Sequence, residues 1–215
     1  MRILSKEYKL YLKNKEFLFS AGVAFLFLIA GIVATYFAIV YATERASNSV
    51  ADIILSNIPV FNVDGLFLFG PVIFWIIIAL YLFFDLKKIL FTLKSIGIFL
   101  FVRSLFLILT HIGPFPTHIQ INVAGVLGVF ASGSDLFFSS HTGLPFLMAL
   151  SFWNNRYLRY FCLASSVFFG AIVLLAHVHY SIDVFAAFFI TYGIFHISFY
   201  LFKKDRQIFM HGLES

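Results

Sequence analysis

Six apolar runs, separated by short polar segments, constrain this chain more than any other feature. They lie at roughly 17–42, 66–84, 95–111, 139–153, 158–177 and 182–202. About 20 apolar residues in a helix span the roughly 30 Å hydrocarbon core of a bilayer. In lipid, a spanning segment of this kind must satisfy its own backbone hydrogen bonds, which a helix does. The expected fold is therefore all-α: a polytopic membrane protein with six transmembrane helices, the fourth of them short. Charge supports this, since only 12% of the residues are charged, against about 25% in soluble domains. The first run is too long for the apolar core of a cleavable signal peptide, and no small-residue cleavage site follows it. The lone Cys162 sits in an apolar run and reads as packing.

The basic residues orient the bundle. Five lie before the first run (Arg2, Lys6, Lys9, Lys13, Lys15), and three in the second connection (Lys87, Lys88, Lys94). Two lie in the fourth (Arg156, Arg159) and three after the last run (Lys203, Lys204, Arg206), so thirteen of fifteen fall on one side. The other side has Arg45 alone, and Arg103 lies within a span. The positive-inside rule then places both termini in the cytoplasm. Residues 1–16 form a basic interfacial segment, 17–202 the membrane domain and 203–215 a cytoplasmic tail. The net charge of +5 is a topology signal, because its cations sit at helix ends, and nucleic acid is not an expected partner. The longest connection, 112–138, carries Pro114, Pro116, Gly113, Gly125, Gly128 and Gly133 but no Lys or Arg. Its apolar middle, residues 119–130, is expected to form a short interfacial or re-entrant helix.

Ionisable groups at membrane depth are costly and point to function. Arg103 is expected about two turns below the non-cytoplasmic end of its span, where its planar fork suits a phosphate, although pairing with Asp64 or Asp135 would equally satisfy it. Ser139-Ser140-His141-Thr142-Gly143 places hydroxyls and an imidazole at a helix start, where free N–H groups attract anions. His177-Val-His179-Tyr-Ser-Ile-Asp183 places His179 and Asp183 four residues apart, on one helical face. A carboxylate so placed holds an imidazole in one tautomer and stabilises its cation. His111, His118, His141, His177 and His179 share the non-cytoplasmic side, but no HExxH-like pattern or Cys ligand accompanies them, so no metal is expected. Nor does any motif imply another cofactor. His196 and His211 lie towards the cytoplasmic side and have no assigned role.

Asp135-Leu-Phe-Phe-Ser-Ser-His141-Thr resembles the sphingomyelin synthase motif of Asp, three residues, then Ser-Gly-His-Thr. His179-Tyr-Ser-Ile-Asp183-Val resembles that family's His-Tyr-Thr-x-Asp-Val, and Arg103 matches a family arginine eight residues before His111. The wider group is the type 2 phosphatidic acid phosphatase superfamily. The resemblance implies His141 as general acid, His179 as nucleophile and Asp183 as its partner. Arg103, Asp135, Ser139, Ser140 and Thr142 would surround the phosphate. The implied activity is a lipid phosphotransferase moving a phospho-headgroup from a membrane phospholipid to a lipid hydroxyl, diacylglycerol or ceramide-like, through a phosphohistidine. Alternatives are a lipid phosphate phosphatase with water as acceptor and a non-catalytic lipid-binding or lipid-flipping protein. The phosphatase branch's Lys-x6-Arg-Pro segment and its Ser-Arg pair before the nucleophile are absent. Against the synthase pattern, Ser140 and Ser134 replace glycines and Gly133 replaces a cysteine.

Overall fold

A computed structural model describes residues 2–119, 129 and 135–213. Among them every regular element is helical. In chain order these are α1 (Arg2–Lys13), α2 (Lys15–Glu44), α3 (Asp64–Phe84), a 3₁₀ turn (Leu86–Lys88) and α4 (Ile89–Leu109). After the long connection come α5 (Ser140–Ser151), α6 (Arg156–Leu175), α7 (Ser181–Leu201) and α8 (Lys203–His211). Most of the apolar stretch at 119–130, expected as an interfacial or re-entrant helix, lies outside the described residues.

Five helices are long and apolar enough to cross a membrane: α2, α3, the 3₁₀ turn with α4, α6 and α7. The expected fourth span differs. α5 has 12 residues, about 18 Å at 1.5 Å per residue, well short of the hydrocarbon thickness. It begins deep in the bundle, because the Ser166 hydroxyl donates to the Thr142 carbonyl at 2.7 Å. Ser166 lies nine residues before the end of α6 at Leu175, or about 14 Å. Extended chain at 135–139 leads down to this start. Non-helical backbone at such depth is tolerable only where protein satisfies it. Arg103 does so, its Nη2 donating to Asp135 O at 3.0 Å and its Nε to Phe138 O at 3.3 Å. The Ser139 N–H donates to Asp183 O at 3.0 Å.

Small residues set the tightest helix pair. Gly31 on α2 abuts Leu100 and the Gly97 carbonyl on α4. Thr35 and Ser104 bond across the same seam at 3.1 Å. Phe74, Phe91, Phe99, Phe138, Phe152 and Phe169 fill the core between α3, α4, α5 and α6. Asn14 and Asn155 cap α2 and α6, their side chains accepting from Phe17 N and Leu158 N.

Lys94 is not in a loop. α4 starts at Ile89, and Lys94 lies inside it, buried. Its ammonium donates to Asp205 at 2.6 Å and Ser20 at 2.9 Å, tying α4 to α8 and α2. A lysine stem long enough to reach a carboxylate on a neighbouring element lets the cation enter the span.

Candidate functional site

His179 ends the turn between α6 and α7. α6 stops at Leu175, and His177 turns the chain with φ of 55°. That is the left-handed region, uncommon for a residue with a Cβ. Its Nδ1 lies 2.6 Å from the Thr117 hydroxyl, and its ring meets the edge of Phe115. Burial lowers the His177 pKa, against the nearby Asp52 charge, so it serves as a neutral hydrogen-bonding group in the connection. The next histidine faces a different partner. His179 Nδ1 lies 3.2 Å from Asp183 Oδ2, with both side chains almost completely buried. The carboxylate can only accept, so Nδ1 carries the proton and Nε2 presents its lone pair. Asp183 Oδ2 also accepts the Tyr180 N–H at 3.0 Å, which fixes it against the first turn of α7.

His141 enters from α5. Its ring packs on Phe67 of α3, with centroids 4.5 Å apart. Pro145 has no N–H to offer the His141 carbonyl one turn back. A cleft of about 80 Å³ between α3, α5 and α6 is lined by Pro71, Phe74, Trp75, Ser140, His141 and Leu144, with others. The Nδ1 of His141 and the hydroxyl oxygens of Ser139 and Thr142 are buried without a hydrogen-bond partner among the described residues. Buried polar atoms normally have one, so three orphans in four consecutive residues mark a place suited to a polar ligand.

The third side is Arg103 with Asp135. Arg103 is six residues from the end of α4, about 9 Å down, and its Nη2 meets Asp135 Oδ2 at 2.5 Å. Asp135 lies in the loop, outside the spans. Burial raises its pKa, but the charges of Arg103, His179 and His141, with the Arg103 hydrogen bond, outweigh burial and hold it below 3.8. The Ser139 N–H bond to Asp183 O holds the start of α5, which carries His141, against the start of α7 beside His179. The backbone reaches this point through Phe137, whose φ of 134° is strained for a residue with a Cβ.

Of the two readings of Arg103, the structure shows the pairing with Asp135. Arg103 is committed to Asp135 and two carbonyls rather than standing free. Asp135, a carboxylate, neutralises that cation rather than facing a phosphate. Ser140 is half-buried in the cleft. Two groups escaped the sequence reading. Phe67 is one of many Phe residues and has no motif. Asp52, in the polar connection after α2, accepts the Ser181 N–H at 2.7 Å and is buried. No group of three His, Cys, Asp or Glu side chains among the described residues converges as metal ligands.

Fold and site together define a helical membrane protein with a buried His–Asp pair, a second histidine and a buried, paired arginine. Residues 133–200 match the family model described as PAP2 superfamily C-terminal. The matched stretch includes Asp135, Ser139–Thr142, His179 and Asp183, while Arg103 lies before it. That superfamily holds phosphatases and phosphotransferases, so the match supports an enzymatic role for this stretch. No curated protein and no solved structure matches the chain.

Proposed function

We propose that this protein is a lipid phosphotransferase that moves a phospho-headgroup from a membrane phospholipid to a lipid hydroxyl by way of a phosphohistidine on His179. The observation that carries the reading is the buried His179–Asp183 pair at 3.2 Å, whose helix start is joined through the Ser139 N–H to the segment that holds the polar orphans of Ser139, His141 and Thr142. With Nδ1–H held by Asp183, Nε2 attacks phosphorus. The P–O bond to the lipid breaks, and His141 gives its proton to the departing alkoxide. An acceptor hydroxyl then surrenders its proton to His141 and takes the phosphoryl group from His179, restoring both histidines.

Arg103 supports the phosphate in two ways under this reading. Its Nη2 and Nε hold the 135–139 segment that delivers Ser139 and His141, and Nη1 is the part of the fork left for a phosphate oxygen. Ser139, Ser140 and Thr142 contribute hydroxyls, and the first N–H groups of α5, from Ser140 on, point towards an anion. The basic residues favour a non-cytoplasmic site with both termini inside. α5 then counts as the sixth crossing, reached through the 135–139 loop. The two sphingomyelin synthase-like motifs and the absent phosphatase motifs favour a lipid hydroxyl as acceptor. The family match supports hydrolysis with water equally, using the same residues.

The test uses purified protein in liposomes of phosphatidylcholine, phosphatidylethanolamine or phosphatidate, with and without diacylglycerol or ceramide. Mass spectrometry follows the products. The expected result is headgroup on the added acceptor, abolished by His179→Ala. Free phosphate or free phosphocholine alone would make the protein a hydrolase. Full activity in His179→Ala would overturn the phosphohistidine route.

A further inference from the structure

We infer that Asp52, on the connection between α2 and α3, is a positioning residue that keeps Asp183 available to His179; this rests on the role proposed for His179. The first turn of any helix leaves backbone N–H groups without intrahelical partners. At the start of α7 two carboxylates divide them. Asp183, within the helix, accepts the Tyr180 N–H at 3.0 Å. Asp52, from 129 residues earlier, accepts the next one, Ser181 N–H, at 2.7 Å. Asp183 Oδ2 is already shared between the Tyr180 N–H and His179 Nδ1. Without Asp52, the Ser181 N–H is a half-buried donor whose nearest carboxylate along the chain is Asp183. That competition draws Asp183 from His179, and the imidazole loses the bond that sets its tautomer and angle.

Asp52 is built for this task. Its other oxygen accepts the N–H groups of Ile54 at 2.9 Å and Leu55 at 3.0 Å, so the carboxylate cannot swing away. Leu55 is buried against Leu136 and Tyr180. The Tyr180 hydroxyl donates to Gly113 O at 2.8 Å and accepts the Val50 N–H at 3.2 Å. Residues 50–55 therefore hold the Tyr180 side chain and the Ser181 N–H together. These N–H bonds outweigh burial and hold the Asp52 carboxyl below its ordinary pKa, so it is an anion at neutral pH.

The experiment compares Asp52→Ala, Asp52→Asn, Asp183→Asn and Asp52→Ala/Asp183→Asn in the full chain, with Asn57→Ala as a control in the same connection. Misplacing a catalytic group can cost about 100-fold, so Asp52→Ala is expected to lower kcat by about 30-fold with KM within about threefold. Asp52→Asn keeps one acceptor oxygen and should recover part of the loss. The double variant should be no more than about threefold slower than Asp183→Asn, because both changes act on one bond. A double variant slowed by the product of the two single effects would overturn the inference, as would an unchanged kcat in Asp52→Ala.

A second measurement works without turnover. Carbethoxylation of His179 by diethylpyrocarbonate, followed by peptide mass spectrometry with His211 as reference, is expected to run several-fold faster in Asp52→Ala and to a smaller degree in Asp52→Asn. An unchanged rate in both variants overturns the positioning role. If His179→Ala keeps full activity, the phosphohistidine reading fails, while the carbethoxylation rates still decide for or against Asp52.

Discussion

Asp135→Asn separates the two tasks of Arg103, because it removes a charge and little else. In the native bundle the Arg103 side chain is 2% exposed and that of Asp135 9%. Nη2 donates to the carboxylate at 2.5 Å and to Asp135 O at 3.0 Å, and Nε donates to Phe138 O. Removing one partner of a buried ion pair costs about 3–5 kcal/mol. The asparagine oxygen still accepts one neutral hydrogen bond, worth about 1 kcal/mol, which leaves a loss of about 2–4 kcal/mol. Arg103→Met should reach or exceed the upper end, since it strands both the Asp135 anion and two buried carbonyls. The double variant should be less destabilised than the sum by about 2 kcal/mol, the range found for residues in direct contact. The pH dependence has a definite sign. Asp135 is held below 3.8 in the folded protein, so its contribution is complete above that value and is lost as pH falls through the folded pKa. Wild-type stability should therefore hold from neutral pH to about pH 5 and decline below about pH 4, with this component missing in Asp135→Asn. Equilibrium unfolding in mixed micelles, followed by Trp75 and Trp153 fluorescence, measures all of these. An Asp135→Asn variant as stable as wild type, with an additive double variant, would refute the pairing argument.

Three further changes probe separate parts of the frame. Gly143→Leu puts a Cβ 2.7 Å from the Phe99 ring and 2.8 Å from the Thr191 hydroxyl; overpacking of this kind costs about 1–3 kcal/mol. Because the clash lies two residues from His141, activity in the liposome assay should fall far more than the melting temperature. Lys94→Met strands Asp205, buried between α4 and α8, and should cost about 3 kcal/mol, with Lys94→Met/Asp205→Asn recovering most of it. Limited proteolysis near Phe202 would report the release of α8, and unchanged cleavage in the single variant would refute the latch. His141→Ala should slow transfer from a phospholipid by about 100-fold or more, as expected for a lost general acid. It should act least on a substrate whose leaving group departs without protonation, such as a p-nitrophenyl phosphoester, and equal slowing of both would remove His141 as the acid.

What could be read in the sequence was what a period or a local spacing encodes. Apolar runs gave the long helices, and the i,i+4 spacing of His179 and Asp183 gave their contact. Lys94 was misplaced because charge alone reads as a loop. Its partners, Asp205 and Ser20, are 111 and 74 residues away, and no local pattern marks them. Asp52 was hidden for the same reason, since its target, Ser181 N–H, lies 129 residues on and belongs to the backbone. Arg103 was visible as a buried cation, but the choice between a free phosphate clamp and a pairing with Asp135 depended on how deep the 135–139 segment descends. A hydropathy run gives no such depth.

That depth links the short α5 to the chemistry. A full-length fourth helix would present His141 at the membrane surface. A 12-residue helix starting beside Ser166 places it level with a point about 14 Å before the end of α6. The cost is a stretch of extended backbone inside the bundle, and Arg103 meets it by donating to the carbonyls of Asp135 and Phe138 while Asp135 neutralises the guanidinium. The result is a polar site with apolar walls, where Phe67, Phe74 and Trp75 face the histidine side. Charges act more strongly in such a place than in water. A lipid whose phosphate must leave the headgroup layer to reach His179 also leaves bulk water behind. Under the proposed transfer, recession of the site favours a second lipid over water as the acceptor. Extending α5 from 12 residues to about 19 by inserting two helical turns after Met148, which carries His141 outward, should shift the product ratio towards hydrolysis. A ratio unchanged in an active insertion variant would show that depth does not select the acceptor.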